Sequence, residues 1–352
     1  MKKAISVIML GILVAATFVA MTPASAARLD VYAGKNVVDN GNNLMNTILN
    51  SKSGDTIRVH AGTYKVTKTI TVPFEDIKII GDDAFKTIID ASGNTGSCIT
   101  TIKNNIVIKN LTIKNSAKDA ISLGSDSEVS NCILTDNKGY GIYGDLNIAI
   151  EYCYIENNGL DGIKINRNGH IENVVSVNNN GNNIRTGIYS TVKNCLSAGS
   201  KSNDGISVDS RCSVINCTSS NNFGSGIKSK GNGEIINSIV TGNGIAGIEG
   251  ESGVSVTYTN SWDNKNNFLR VTQGIGCISK DPKFTSGVYT WANWVNGQKI
   301  GYFLPITSPS INSGSEASEA VDLQNGWSTT LENICDTKTV DMGFHFASKC
   351  RV

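Results

Sequence analysis

Gly141-Ile142-Tyr143-Gly144, Gly162-Ile163-Lys164-Ile165 and Asn183-Ile184-Arg185-Thr186 follow one another at intervals of 21 residues, and that interval governs residues 106–260. A unit repeating at such a period marks a repeat architecture, in which each unit stacks on its neighbours because none buries its apolar face alone. Two ladders set the register. Isoleucine recurs at Ile121, Ile142, Ile163, Ile184, Ile206, Ile227 and Ile248, and a mostly asparagine set at Asn110, Asn131, Tyr152, Asn173, Asn194, Asn216 and Asn237. Both step by 21 except at one shared step of 22.

An aliphatic residue stands two positions before each member of the second ladder, from Ile108 and Val129 to Ile235. One position after it comes a mostly apolar set: Leu111, Cys132, Cys153, Val174, Cys195, Cys217 and Ser238. Each period thus holds three apolar stretches divided by Gly, Asn, Asp and Ser, too short and too β-branched for helices but suited to strands of about three to five residues. Three strands per turn close a triangular coil, and parallel stacking sets each residue about 4.8 Å from its counterpart in the next coil. The isoleucines then point inward. The asparagines fall between strands, where a left-handed backbone is needed and where amides can bond the same group above and below. The predicted fold is all-β: a single-stranded parallel β-helix of about ten coils of ~21 residues.

Residues 1–26 read as a signal peptide: Lys2-Lys3, an apolar run from Ala4 to Ala20, and the small-x-small site Ala24-Ser25-Ala26. No other stretch is long and apolar enough to span a bilayer. The whole chain carries a net charge of +1, which becomes −1 without Lys2 and Lys3, and no basic run or recognition motif points to nucleic acid. Residues 27–280 are assigned to the β-helix with an N-terminal cap, a short amphipathic helix over Asn40 to Leu49 that covers the open first coil. Residues 281–352 form an irregular C-terminal capping segment. Trp262, Trp291, Trp294 and Trp327 lie after the regular repeat, with Tyr289 and Tyr302; they either pack an irregular cap or stack on sugars. Of nine cysteines, Cys132 with Cys153 and Cys195 with Cys217 share ladder positions on adjacent coils, packed inward as small apolar residues or bridged. Cys335 with Cys350 is the expected disulfide.

The interior of such a coil is filled, so chemistry belongs outside. The residue after each ladder isoleucine faces outward by strand alternation, giving the row Ser122, Tyr143, Lys164, Arg185, Ser207, Lys228 and Glu249. A second row reads Gly124, Asp145, Asn166, Gly187, Asp209, Lys230 and Glu251; the turn ahead of the strand carries Asp119, Tyr140, Asp161, Asn182, Asp204, Ser225 and Ala246. Lys164 and Arg185 are neighbours. Two cations about 5 Å apart repel each other, which points to an anionic ligand or to flanking carboxylates such as Asp161 and Asp204. The competing reading is a solvated face balanced by its own salt bridges. The register has one alternative, in which Ile188 replaces Ile184, Tyr189 faces outward and Arg185 moves into the preceding turn.

These ladders, with the opening Gly54-Asp55-Thr56-Ile57, Gly62-Thr63-Tyr64 and Thr87-Ile88-Ile89-Asp90, resemble the secreted right-handed β-helix proteins of the pectate-lyase-like superfamily over most of the mature chain, which implies a right-handed coil. Asp281-Pro282-Lys283-Phe284 and Val340-Asp341-Met342-Gly343-Phe344-His345 resemble the tail that follows the last coil in such proteins. Lys164 and Arg185 resemble the lysine base and arginine acid of the alginate lyase and chondroitinase group. That group adds calcium-holding glutamates and follows its arginine with His-Gly, whereas this chain offers Asp161 and Thr186-Gly187. Asp161-Gly162-Ile163-Lys164 resembles the Asp-Gly-Phe-x-x-Lys of a calcium-dependent pectate lyase family, with the lysine one position early. The paired aspartates and Gly-His-Gly of polygalacturonases are missing.

The resemblance implies an extracellular or cell-surface polysaccharide-processing enzyme, a lyase acting by β-elimination on a uronic-acid-containing polymer, ahead of hydrolase or epimerase. The alternative is a non-catalytic surface or adhesion protein that binds glycans with the same face. Lys164 and Arg185 are the expected catalytic residues, and Tyr143, Asp161, Asn166, Ser207, Asp209 and Lys228 line the groove. Calcium is the candidate ion, but Asn-rich turns with few clustered acids assign it no ligands. The expected partner is an anionic polysaccharide or cell-surface glycan, and the mature chain is expected to be a monomer without a membrane span.

Overall fold

The computed structural model describes residues 26–285, 301–315, 327–330, 334, 336 and 339–347. Parallel strands stack into a β-helix of about ten turns. One flank is a ten-stranded sheet from Gly62–Lys65 to Asn260–Trp262, built from every third strand of the chain over most of its length. The other two flanks merge into a nineteen-stranded sheet, because Ile142–Glu151 and Ile163–Glu172 run unbroken through the corner between them. These two ten-residue strands exceed the predicted three to five residues. Leu146 pairs with Arg167 and carries the ladder round the bend, while Asn147 and Asn168 turn the chain in the left-handed region at φ 55° and 51°.

The isoleucine ladder holds at every rung from Ile121 to Ile248, and each member is fully buried. Ile184 pairs with Ile163 and Ile206, which settles the register and leaves Ile188 half-buried. The second ladder from Asn110 to Asn237 adopts φ between 48° and 58° throughout, as its composition predicts. Its amides do not form a continuous stack. Asn194 donates to Asn173 at 2.7 Å, but Asn110 turns to the Gly81 carbonyl, and neither side-chain polar atom of Asn216 has a partner.

The continuous amide ladder lies inside another corner. Asn158 Oδ1 accepts from Asn137 Nδ2 at 2.9 Å, Asn179 Oδ1 from Asn158 Nδ2 at 3.0 Å, and the pattern resumes from Asn222 to Asn243 and Asn264. Ser200 interrupts it. There Asn183 bridges, accepting from Asn179 Nδ2 at 3.0 Å and donating to Asn222 Oδ1 at 3.1 Å. Each rung also takes a backbone N–H, so burying the carboxamides leaves few polar groups without partners.

The N-terminal cap is helix α1, Val37–Leu49, three residues longer at its start than predicted. Asn36 caps it, accepting from Val38 N at 3.0 Å, and the helix buries Leu44 and Ile48 against the first coils. Described parts of the C-terminal segment lie back along the ten-stranded flank. Phe303, Phe344 and Phe346 pack with Ile133, Tyr154, Val175 and Leu196 on the sheet's outer side, and Phe344 N donates to Thr218 Oγ1 at 3.0 Å. The four stacked cysteines are free and buried, as is Cys212. Burial pushes the Cys153 and Cys195 thiols well above the ordinary range. Residues 1–25 of the expected signal peptide, Tyr289, Trp291, Trp294 and the expected disulfide of Cys335 with Cys350 lie outside the described residues. Among the described residues no helix is long and apolar enough to cross a membrane.

If the inner amide ladder holds the coils in register, Asn158→Ala should destabilise the protein by roughly 2–4 kcal/mol in denaturant titration, because it strands buried partners on both neighbouring coils. Asn131→Gly, which keeps the left-handed turn at an exposed position, should change stability by only a few tenths of a kcal/mol.

Candidate active site

The outward row is in register rung by rung: Tyr143 pairs with Lys164, Lys164 with Arg185, and Arg185 with Ser207. Lys164 rises between Ile163 and Ile165, both fully buried, so its stem is fixed by the core beneath it. Gly162, just before, needs its missing side chain. A Cβ there would lie 2.4 Å from Ser176 Oγ and 2.6 Å from Asn179 Nδ2, so the turn into the strand sits directly on the inner polar ladder.

The Lys164 side-chain amine makes no hydrogen bond or ion pair among the described residues. Burial lowers its pKa below the usual lysine range and the neighbouring Arg185 lowers it further, against the opposing pull of Asp161 and Asp209. A half-buried amine beside a fixed cation has a larger neutral fraction than a free lysine at the same pH.

Asp161 is 5% exposed, and its Oδ1 accepts from Asn182 N at 2.7 Å and from Asn182 Nδ2 at 3.0 Å. The same staple recurs along the turn row, where Asp119 accepts from Tyr140 N and Asp204 from Ser225 N. Asp161 therefore ties one coil to the next, and only Oδ2 faces Arg185, at 3.9 Å. Tyr143 and Asn166 are joined: Asn166 Nδ2 donates to the Tyr143 hydroxyl at 2.9 Å and to Asp145 Oδ1 at 3.1 Å. Asp209 pairs with Lys230 at 2.7 Å.

Lys228 is drawn elsewhere. It pairs with Glu249 at 3.2 Å, and this nearly buried carboxylate also holds Arg270 and accepts from Ser225 Oγ at 2.6 Å. Burial pushes the Glu249 carboxyl up, but the Ser225 hydroxyl and the two cations more than offset it and leave it low. Ser207 separates this group from Lys164 and Arg185, so the face divides into an open cation pair and a self-neutralised cluster.

Tyr140, from the turn row, joins the open half, and with Tyr143 it forms the tyrosine end of the patch that the three rows predict. Its ring lies 5.7 Å from that of Tyr143, and burial and then Asp161 raise its pKa while Arg185 lowers it. Arg270 falls past the end of the regular period and left no signal in the sequence. His60 bridges Asp30 and Asp82 at 2.8 and 3.0 Å near the first coils, far along the chain from Lys164. No group of three or more His, Cys, Asp or Glu side chains suited to a metal occurs among the described residues.

No family model and no curated protein matches the sequence. Among solved structures, pectate lyase Pel9A is similar with a TM-score of 0.54 and 14% identity, covering 90% of this chain and 96% of its own. ORF18 of Geobacillus virus E2 is similar with a TM-score of 0.51 and 16% identity over 71% of this chain, which matches 60% of the viral protein's length. The mannuronan C-5 epimerase AlgE6 A-module of Azotobacter vinelandii matches with a TM-score of 0.43 and 14% identity over 72% of this chain. At these identities the likeness shows the fold alone: the chain is a parallel β-helix like that of pectate lyase Pel9A.

Proposed function

We propose that this chain is an extracellular carbohydrate-active enzyme that cleaves a uronic-acid-containing polysaccharide by β-elimination, with Lys164 as the base and Arg185 as the carboxylate-neutralising partner. The observation that carries the reading is the unpartnered, pKa-lowered Lys164 amine set in register beside Arg185 on one outer face. Fold alone does not assign chemistry, and the pectate lyase likeness supplies only a scaffold on which such chemistry is carried in that protein.

Arg185 offers a planar fork to the sugar carboxylate and neutralises it, which acidifies the hydrogen on the adjacent ring carbon. The neutral Lys164 amine takes that proton. The resulting electron pair forms a carbon–carbon double bond as the neighbouring carbon–oxygen glycosidic bond breaks, and the leaving oxygen takes a proton from the lysinium or from water. Tyr143, Asn166, Ser207 and Asp209 line the path along the axis, within about 15 Å, the reach of roughly three coils.

A screen on alginate, polygalacturonate and glycosaminoglycans, followed at the ultraviolet absorbance of the unsaturated product, should give a signal on a polyuronate. Lys164→Ala should abolish it and leave the melting temperature within about 2 °C, since an outward strand residue contributes little to stability. Binding to these polymers without turnover on any of them would replace the enzyme with a glycan-binding protein.

The rate should rise with pH as Lys164 loses its proton, with a midpoint below the usual lysine range. Arg185→Gln removes a cation that lowers that pKa, so the rising limb should move to higher pH while the maximal rate falls. A limb that stays in place would separate Lys164 from the titration. Asp161→Ala should cost about 1–2 kcal/mol of stability by freeing Asn182 N, so activity lost there is a structural effect first.

A further inference from the structure

One column of turns carries two bulky residues on adjacent coils. At successive coils the left-handed corner residue is Asn105, Asp126, Asn147, Asn168, Tyr189, Arg211, Asn232 and Gly253, with φ between 49° and 85°. Asparagine, aspartate and glycine suit that conformation, whereas bulky side chains do not. Tyr189 and Arg211 break the rule on adjacent coils. Tyr189 is 42% exposed, so core packing does not explain its size.

The two residues belong to a cluster with a second arginine. The guanidiniums of Arg167 and Arg211 each lie 5.4 Å from the centre of the Tyr189 ring, and Arg211 also donates to the Tyr189 hydroxyl. Both arginines are exposed, and neither has a carboxylate at ion-pair distance among the described residues. The nearest acids in the sequence are engaged: Asp209 with Lys230, and Glu172 with His170 and Lys193. Two like charges are thus held at one tyrosine, Arg211 at its hydroxyl end, with no carboxylate at ion-pair distance among the described residues. Arg167 lies three residues beyond Lys164 on the same strand, or about 10 Å, and the column runs parallel to the Lys164–Arg185 row.

We propose that Arg167, Tyr189 and Arg211 form an anion-binding subsite that holds carboxylates of an acidic polysaccharide beside the Lys164–Arg185 pair. The guanidinium fork matches a carboxylate, sulfate or phosphate, and Tyr189 holds the two forks together, Arg167 near its ring and Arg211 at its hydroxyl. The commitment to carboxylate rests on the lyase reading of the adjacent pair.

The test is titration of the whole folded chain with polyuronate oligosaccharides and, as a separate arm, dextran sulfate, at low and physiological ionic strength. It uses the Lys164→Ala background so that ligand stays intact. Arg167→Gln/Arg211→Gln should weaken polyuronate binding about tenfold or more and flatten its salt dependence, with each single change giving roughly threefold. Tyr189→Asn, the residue this column otherwise prefers, should weaken binding without lowering the melting temperature. Unchanged polyuronate affinity in the double variant overturns the subsite, as does a Tyr189→Asn protein that loses stability but binds normally. Arginine-dependent binding of dextran sulfate alone overturns the carboxylate assignment. In the parent chain, arginine-dependent polyuronate binding without unsaturated product overturns the lyase reading and leaves the subsite standing.

Discussion

Stacking in strict register at about 4.8 Å is the constraint on which everything else in this molecule depends. A coil of ~21 residues encloses too little apolar volume to be stable alone, so each buries its isoleucines only against the coils above and below. The register must therefore be fixed at each step, and apolar side chains, being non-directional, fix it poorly. The inner asparagine ladder does it with direction. Each carboxamide accepts the backbone N–H and the amide of its neighbour, so a slip of one residue would strand several buried polar groups at once. Asn183 shows how strong this requirement is. Where Ser200 breaks the ladder, at the coil with the extra residue, a side chain from another part of the coil reaches in to keep the amides connected.

The same register shapes the outer surface. Like positions stack on like, so a charged pair on adjacent coils is held closer than two free side chains would choose. Along most of the face the chain relieves this internally, through Lys230 with Asp209 and through Lys228 and Arg270 with Glu249. Lys164, Arg167 and Arg211 are left out of that neutralisation, and Arg185 sees its acid only at 3.9 Å. The expectation of a self-balanced salt-bridged face is therefore met over one part of the row and fails over the other. That unevenness, more than the mere presence of basic residues, marks the candidate site. The C-terminal segment matters here as well: its phenylalanines cover the ten-stranded flank and lie away from the Lys164 row.

The periodicity made the architecture legible in the sequence, together with the inward and outward assignment of nearly every strand residue, because a period of two within strands and a fixed period between coils leave few alternatives. The left-handed turns were readable for the same reason, since asparagine recurs where the backbone demands it. Partnerships were not readable. Asp161 looked like a ligand-facing acid, but its main bond is to the backbone of the next coil, and the amide stack expected between strands sits in a different corner. Sequence spacing gives the position of a side chain and not the direction it takes, which is decided by whichever donor or acceptor lies nearest once the coils are closed. Only the tertiary structure could show that Arg167 and Arg211, 44 residues apart, meet at one tyrosine, because that contact depends on the pitch of the stacked coils rather than on any local pattern.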